Sequence, residues 1–338
     1  MNRWACSLGV PNEAESAHRA ANRTTCYGLL VPTHEVKVPD ELAGARLDKA
    51  IAALVEGASR ARVKAAIADG AVRVNGRYMV KGGLVAAGDV LTVELSDLSA
   101  PDSPAVPEDA PLVVRHESKH VLVVDKPAGQ PSAPLRHGET GTLANALAFH
   151  FPETVGIGYS PREPGLLHRL DTDTSGLLVV ARTKAAFAEL KEALKGDALV
   201  KEYLLVCKEE GLPDEGTIAF PLTNHPKDQR RVYACVHPRD VIRYAPREAS
   251  TDYVVLERKN GFALVRVVVS RALRHQIRAH FAAILHPLVG DKLYGGEPVP
   301  GLERHALHAS RIALETATPG LGFDVSSELP AELAALLK

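Results

Sequence analysis

The sequence predicts an α+β protein in which a small N-terminal domain precedes a larger C-terminal one, and three observations carry that prediction. Short β-branched runs closed by Gly, Asn or Asp occur together with segments whose apolar residues recur at helical spacing, so both element types are present. The chain has 338 residues, 46% of them hydrophobic, enough for one large core and a small one. Between the two, residues 96–111 hold Pro101, Pro104, Pro107 and Pro111 with Asp97, Asp102, Glu108 and Asp109 and no basic residue, the composition of a stiff acidic linker. The expected domains are therefore 34–95 and 112–338, preceded by an extension over 1–33.

The extension is polar, alanine-rich and aperiodic, with Trp4 the chain's single tryptophan. It reads as a disordered tail, or as the product of a start codon set too far upstream; Arg3, Arg19 and Arg23 suit a targeting peptide, but Glu13 and Glu15 argue against one. The small domain opens on the alternating strand His34–Val38. A helix follows from Arg46, with apolar residues at 47, 50, 51 and 54, and a second helix is expected over 59–68 with Ser59 as N-cap. Ala71–Val74 is a strand ending in the turn pair Asn75-Gly76, and Gly88-Asp89 precedes a strand over Val90–Leu95. Between 46 and 81, eight basic residues face three acidic ones, and Arg60, Arg62, Lys64 and Arg73 are the candidates for a phosphate-binding face. Charge alone gives an ordinary solvated surface equal standing.

The large domain begins with the buried strand from Val121, closed by the turn Lys126-Pro127-Ala128-Gly129, which is most simply structural. Thr142 caps a helix through Leu143, Ala146 and Leu147; Thr183 caps another over 184–194; and Lys201–Val206 is a strand. Taken alone, Tyr203 in that strand is a core aromatic with a satisfied hydroxyl. From His225 to Arg247, six basic residues, Arg230 and Arg231 among them, face two acids, and three prolines exclude a regular helix; the segment is expected to be a basic loop that clasps a polyanion. From Arg258 to Gly290 there are six basic residues and no acid, hard to explain as a solvated face where both signs mix.

Between these lies His168-Arg169-Leu170-Asp171, then Thr172–Gly176 and the buried strand Leu177–Ala181, so three ionisable groups of different type sit on a turn held by a rigid strand. The bland reading makes Asp171 a turn residue and Arg169 a surface charge. Asp173-Thr174-Ser175-Gly176 is near an aspartic-protease turn, but that chemistry needs a second such turn and none occurs. A metal on His168 and Asp171 would bring Arg169 into its site and is weaker still.

The run HRLDTDTSGLLVVART resembles the catalytic motif of the RluA family of pseudouridine synthases, with Thr172 where that family usually has Lys. A second stretch, His275-Gln276-Ile277-Arg278 followed by His286-Pro287-Leu288-Val289-Gly290-Asp291 and Tyr294-Gly295, resembles the family's third motif. It departs just upstream: Arg271-Ala272-Leu273-Arg274 stands where the family reads Thr-Gly-Arg-Thr, so the arginine expected at 273 is missing and Arg271 or Arg274 is left to replace it. His305–Ala309 matches a further strand, and the helix, helix, Val-x-Val-Asn-Gly order of 34–95 resembles the S4-like RNA-binding domain. The resemblance runs from about residue 34 to about 316.

It implies a mixed, largely antiparallel sheet flanked by helices, and an RNA pseudouridine synthase that breaks the bond from uracil nitrogen to ribose and rejoins the base through carbon 5. No redox change occurs, so no cofactor and no metal are expected. Asp171 would meet the ribose, by a covalent ester or a glycal route; Arg278 would keep it ionised and aimed. Arg169 would fill the stack vacated by the flipped uridine, and Tyr203 would support its face. His168, Ile277, Gln276, Arg274, Arg230 and Arg231 complete the expected substrate contacts. The partner would be RNA, ribosomal before transfer RNA. The four cysteines, Cys6, Cys26, Cys207 and Cys235, form no Cys-x-x-Cys pair, and no apolar stretch approaches a membrane span, so a cytoplasmic location is expected; the chain is expected to act as a monomer. The competing class is a catalytically inactive RNA-binding or RNA-chaperone module of the same fold.

Overall fold

A computed structural model describes residues 33–94 and 104–338, apart from 56, 57, 59–62, 65, 68, 69, 80, 81, 136, 137, 270 and 271. The chain divides into two compact units, residues 1–101 and 102–338.

The first unit contains β1 (Thr33–Lys37), α1 (Leu47–Leu54), β2 (Val72–Val74), β3 (Arg77–Tyr78) and β4 (Val90–Glu94), its strands ordered β1-β4-β2-β3 with every pairing antiparallel. The apolar spacing of α1 has the expected consequence: Leu47, Ala50 and Ile51 are buried in one cluster with Val72, Val74, Leu91 and Val93. Asn75 and Gly76 both take positive φ, 50° and 76°, as a two-residue hairpin turn requires. The Asn75 side chain also accepts the Val90 N–H, tying the turn to β4. Of the second expected helix, residues 63, 64, 66 and 67 are helical, with Val63 and Ile67 in the core; Ser59, Arg60 and Arg62 lie outside the described residues.

The second unit runs β5 (Val113–Glu117), β6 (Val121–Lys126), α2 (Leu143–His150), β7 (Ser175–Ala181), α3 (Lys184–Lys195), β8 (Leu199–Lys208), β9 (Glu215–Ile218), β10 (Leu222–Asn224), β11 (Val232–Ala234), α4 (Pro238–Tyr244), β12 (Thr251–Lys259), β13 (Phe262–Val268), α5 (Gln276–Ala283), β14 (Leu307–Leu314), β15 (Phe323–Ser326) and α6 (Ala331–Ala334). One sheet takes the order β5-β6-β7-β14-β8-β13-β12-β9, with β15 added to β14. Only the β7–β14 pairing is parallel, so the sheet is mixed and largely antiparallel. The apolar run predicted as a strand is β7, buried at every position. Gly176 is required where β7 meets β14: its φ is 115°, and a Cβ there would stand 2.2 Å from the Ala309 carbonyl oxygen. Thr142 and Thr183 cap α2 and α3 through their hydroxyls, the first in a reciprocal box with Asn145.

Two expectations need correction. Residues 225–247 are not all loop, because Pro238 occupies the first turn of α4, where its missing N–H costs nothing, and a short helix forms. The end of the acidic linker is not a free spacer either. The Ala105 N–H donates to Pro161, Glu108 N–H to Asn145, and Glu108 Oε2 accepts the Gly141 N–H, so residues 104–111 pack as part of the large unit.

Candidate active site

Asp171 is fixed by its backbone before its side chain is considered. Upstream, Leu167 donates to Val179 and Ala181 to Gly165, pinning the approach segment along β7. His168 does the same with its ring, whose Nε2 accepts the Val179 N–H at 3.3 Å. Next to Asp171, the Ser132 hydroxyl donates to the Leu170 carbonyl and accepts the Leu170 N–H. On its other side, Lys126 Nζ donates to the carbonyls of Thr172, Pro127 and Gln130 at 2.8–3.0 Å, and Gly129 N–H also reaches Thr172. Burial pulls the pKa of Lys126 down to about 8, opposed by the charges of Asp173 and Asp171, and three carbonyl acceptors compensate a side chain with no exposure. The Lys126-Pro127 turn thus clamps the loop that carries Asp171.

The Asp171 side chain is 24% exposed and its two oxygens are treated differently. Oδ2 accepts from Arg278 Nη1 at 2.8 Å and faces His275 Nε2 at 3.6 Å, while Oδ1 takes no hydrogen bond from any described residue. Arg278 lies in the first turn of α5 and spends its other edge on Asp291, Nε and Nη2 donating at 2.7 and 2.9 Å. Burial opposes ionisation of both partners. Their hydrogen bonds and mutual charge outweigh it, so Arg278 is held above its ordinary pKa and Asp291 below. Asp291 Oδ1 further accepts the N–H groups of Leu293 and Tyr294, which fixes the arginine from behind. Tyr294 completes the packing, with the guanidinium of Arg278 5.2 Å from its ring centre and that of Arg231 at 5.3 Å.

Tyr203, on β8, is buried in the same cluster as Leu170 and Ile277. Burial, with the Asp171 charge adding to it, pushes its hydroxyl pKa up, so it stays protonated. Arg169 projects outward, 62% exposed, with an ion pair to Glu163 at 3.2 Å. Asp171, Arg278, Tyr203 and Ile277 are therefore brought together, and Arg169 stands on the solvent side of the same loop.

Other expected contacts are engaged within the protein to different degrees. Gln276 is spent inside the protein: its amide donates to the Ser250 carbonyl and Thr251 hydroxyl, and its oxygen accepts the Leu273 N–H. His168 is a pin on β7, and burial lowers its pKa to about 3, leaving a neutral acceptor. Arg274 holds the carbonyls of Gln229 and Arg231, so it anchors the basic loop. Arg230 pairs with Asp228 at the surface, whereas Arg231 stacks on Tyr294 and leaves its buried Nε without a partner. The departure at 271–274 is accommodated by the Gln276 cap on Leu273 and by a left-handed His275, φ 53°; Arg271 lies outside the described residues. In the first unit, Arg73 lies 4.4 Å over the exposed Tyr78 ring and Lys64 is 3.9 Å from Asp48.

Sequence reading missed Asp291, His275, Tyr294, Lys126 and Ser132 as site residues. Two signals were present: His275, Asp291 and Tyr294 stand in the stretch that resembles the third motif, and the acid-free basic window ends at Gly290, so the first carboxylate after it, Asp291, is the one that Arg278 grips. Among the described residues no cluster of His, Cys, Asp or Glu could hold a metal ion, and no helix is long and apolar enough to cross a membrane.

Comparison with known proteins adds three findings. Residues 120–283 match the family described as RNA pseudouridylate synthase. A "Ribosomal large subunit pseudouridine synthase D" of Yersinia pestis is 33% identical over 319 residues, covering 89% of this chain and 92% of the relative; the protein of that name from Xanthomonas campestris is 34% identical, covering 89% and 90%. The solved structure "Human RNA Pseudouridylate Synthase Domain Containing 1" aligns with a TM-score of 0.53 at 26% identity, covering 68% of this chain and 89% of that one.

Proposed function

We infer substrate and mechanism from one plain fact: the chain belongs to the RluA family of RNA pseudouridine synthases. It is an isomerase for uridine in RNA, and we propose large-subunit ribosomal RNA as its substrate because the curated relatives are named for that RNA and align over nearly their whole length. An inactive binding module finds no support.

The observation that carries the mechanism is the asymmetry at Asp171, one oxygen held by Arg278 and the other unengaged. A uridine stacked in RNA hides both its glycosidic bond and carbon 5, so it must leave the stack at a cost of a few kcal/mol. Arg169, exposed on the same loop, fills the gap; Tyr203 and Ile277 receive the flipped base beside Asp171. Asp171 then meets the ribose through Oδ1 as the bond to N1 breaks. The base turns, carbon 5 joins the ribose, and the proton lost from carbon 5 is balanced by the one gained at N1. Arg278 neutralises the carboxylate without quenching the free oxygen, since Asp291 takes most of its hydrogen-bonding edge. Arg231, half-buried against Tyr294, supplies a phosphate contact next to the site through the part of its guanidinium away from the buried Nε. The protein would work as a monomer in the cytoplasm, its residues 34–95 serving as an S4-like RNA-binding domain.

The test is incubation of an unmodified large-subunit ribosomal RNA transcript with the protein, followed by carbodiimide detection of pseudouridine. New pseudouridine supports the reading; formation in transfer RNA alone redirects the substrate, and none in either RNA removes it. A second measurement addresses the first unit. If Lys64, Arg73 and their basic neighbours contact phosphates, removal of residues 1–100 should weaken RNA binding and flatten its salt dependence, by roughly one unit of slope per lost contact. An unchanged slope in the shortened protein would show that this unit does not bind RNA electrostatically.

A further inference from the structure

His275 is placed where an ordinary core histidine is not. It precedes α5 in a left-handed conformation, φ 53° and ψ 19°, which aims its ring between two groups of opposite demand. Nε2 stands 3.6 Å from Asp171 Oδ2, and Nδ1 stands 3.1 Å from the Tyr294 hydroxyl, with the two rings edge to face. The hydrogen positions follow from partners. Val232 N–H donates to the Tyr294 oxygen at 2.7 Å, so the hydroxyl hydrogen is directed elsewhere, to His275 Nδ1 at 3.1 Å or to the Val232 carbonyl at 3.3 Å. A neutral imidazole beside a carboxylate presents its N–H to it, because a lone pair there would be repelled. Both demands are met by one arrangement, Tyr294 O–H to Nδ1 and Nε2–H towards Asp171.

Resting on the reading of Asp171 as the group that meets the ribose, we infer that His275 is a positioning residue for it. Locked by Tyr294 with its hydrogen on Nε2, it joins Arg278 on Oδ2 and leaves Oδ1 as the reacting oxygen. The charged groups around the ring are Asp171 from the loop before β7, Arg274 and Arg278 from its own segment, and Asp291 beyond α5; burial outweighs the two carboxylates, and its pKa lies below the ordinary 6.5. At neutral pH the ring is therefore the neutral donor the arrangement needs. In acid it gains a second proton, the Tyr294 hydroxyl turns to Val232, and Asp171 Oδ2 faces a second cation beside Arg278.

The experiment is single-turnover conversion of the same transcript from about pH 5.5 to about pH 8.5, with RNA affinity measured alongside. His275→Asn keeps a residue that tolerates left-handed backbone but cannot reach Asp171 in the same way. It should lower the rate about tenfold to a hundredfold at neutral pH, leave RNA affinity unchanged, and remove the part of the acid decline that the ring causes. Tyr294→Phe keeps the ring stacked on Arg278 and removes the donor that favours neutral His275, so the acid decline should move to higher pH. A parent-like rate in His275→Asn, or a lower rate with the parent's acid decline intact, overturns the inference. If His275→Asn does not fold, an unmoved acid decline in Tyr294→Phe does so. Asp171→Asn separates the two levels: if it stays active the underlying mechanism fails, and if it is inactive while His275→Asn behaves as parent, only the role of His275 fails.

Discussion

Asp171→Asn is expected to fold, to bind ribosomal RNA about as tightly as the parent, and to form no detectable pseudouridine. The substitution keeps size and one acceptor, and the backbone of the loop is held independently by Ser132, Lys126 and the pairing along β7, so the site should retain its shape. A structural turn residue in such a position would tolerate the change within about 1 kcal/mol. Chemistry would not, because the amide is neither basic nor nucleophilic and carries no charge to pair with Arg278. Asp173→Asn, two residues along, is the control. Its backbone carbonyl serves Arg304, which the substitution preserves, so most activity should remain. Single-turnover conversion of one transcript by both variants decides the matter. Substantial conversion by Asp171→Asn would withdraw the assignment on which the proposed chemistry rests.

The sequence showed some of this site and hid the rest for definable reasons. Asp171 and Arg278 are 107 positions apart, and only the resemblance to known motifs could pair them, since no periodicity links a loop before β7 to the first turn of α5. Local patterns served better for elements: Thr142 and Thr183 marked helix starts, Asn75-Gly76 marked the hairpin, and the apolar run marked β7. Local reasoning failed where a polar side chain looked available for substrate but was needed by the fold. Gln276 and His168 both sit in motif positions, yet each satisfies backbone groups that burial would otherwise leave unpaired. Lys126, read as part of a structural turn, has that role, but a sequence does not show which three carbonyls will converge on its ammonium, one of them on Thr172, 46 residues away. The sheet order, with β14 inserted between β7 and β8, is a tertiary fact without a local signature.

Arg278→Ala is the substitution expected to cost most, in stability as well as activity. It strips the cation from two carboxylates at once, and Asp291, 1% exposed, has no other charged partner within ion-pair distance among the described residues. Breaking such a buried pair costs roughly 3–5 kcal/mol, because the surviving charge stays uncompensated. The pH dependence distinguishes this cause from general loss of packing. In the parent the Asp291 pKa is depressed, so its contribution to stability is present above the ordinary carboxylate value of 3.8 and is lost as pH falls through the lower folded value. In Arg278→Ala only His305 and the Leu293 and Tyr294 N–H groups still oppose burial, so the Asp291 pKa should rise above 3.8. The variant should then recover stability relative to the parent as pH falls towards the carboxylate range, where Asp291 protonates. Adding Asp291→Asn to Arg278→Met removes the orphaned charge and fills part of the space, which should restore much of the stability at neutral pH. Activity should stay lost, because Asp171 would still lack its guanidinium. Urea unfolding of the single and double variants at neutral and acidic pH, with conversion assays on the same samples, tests both halves. A double variant that stays as unstable as Arg278→Ala would show that packing, and not the buried charge, sets the cost; one that regains pseudouridine formation would show that Arg278 acts only through stability.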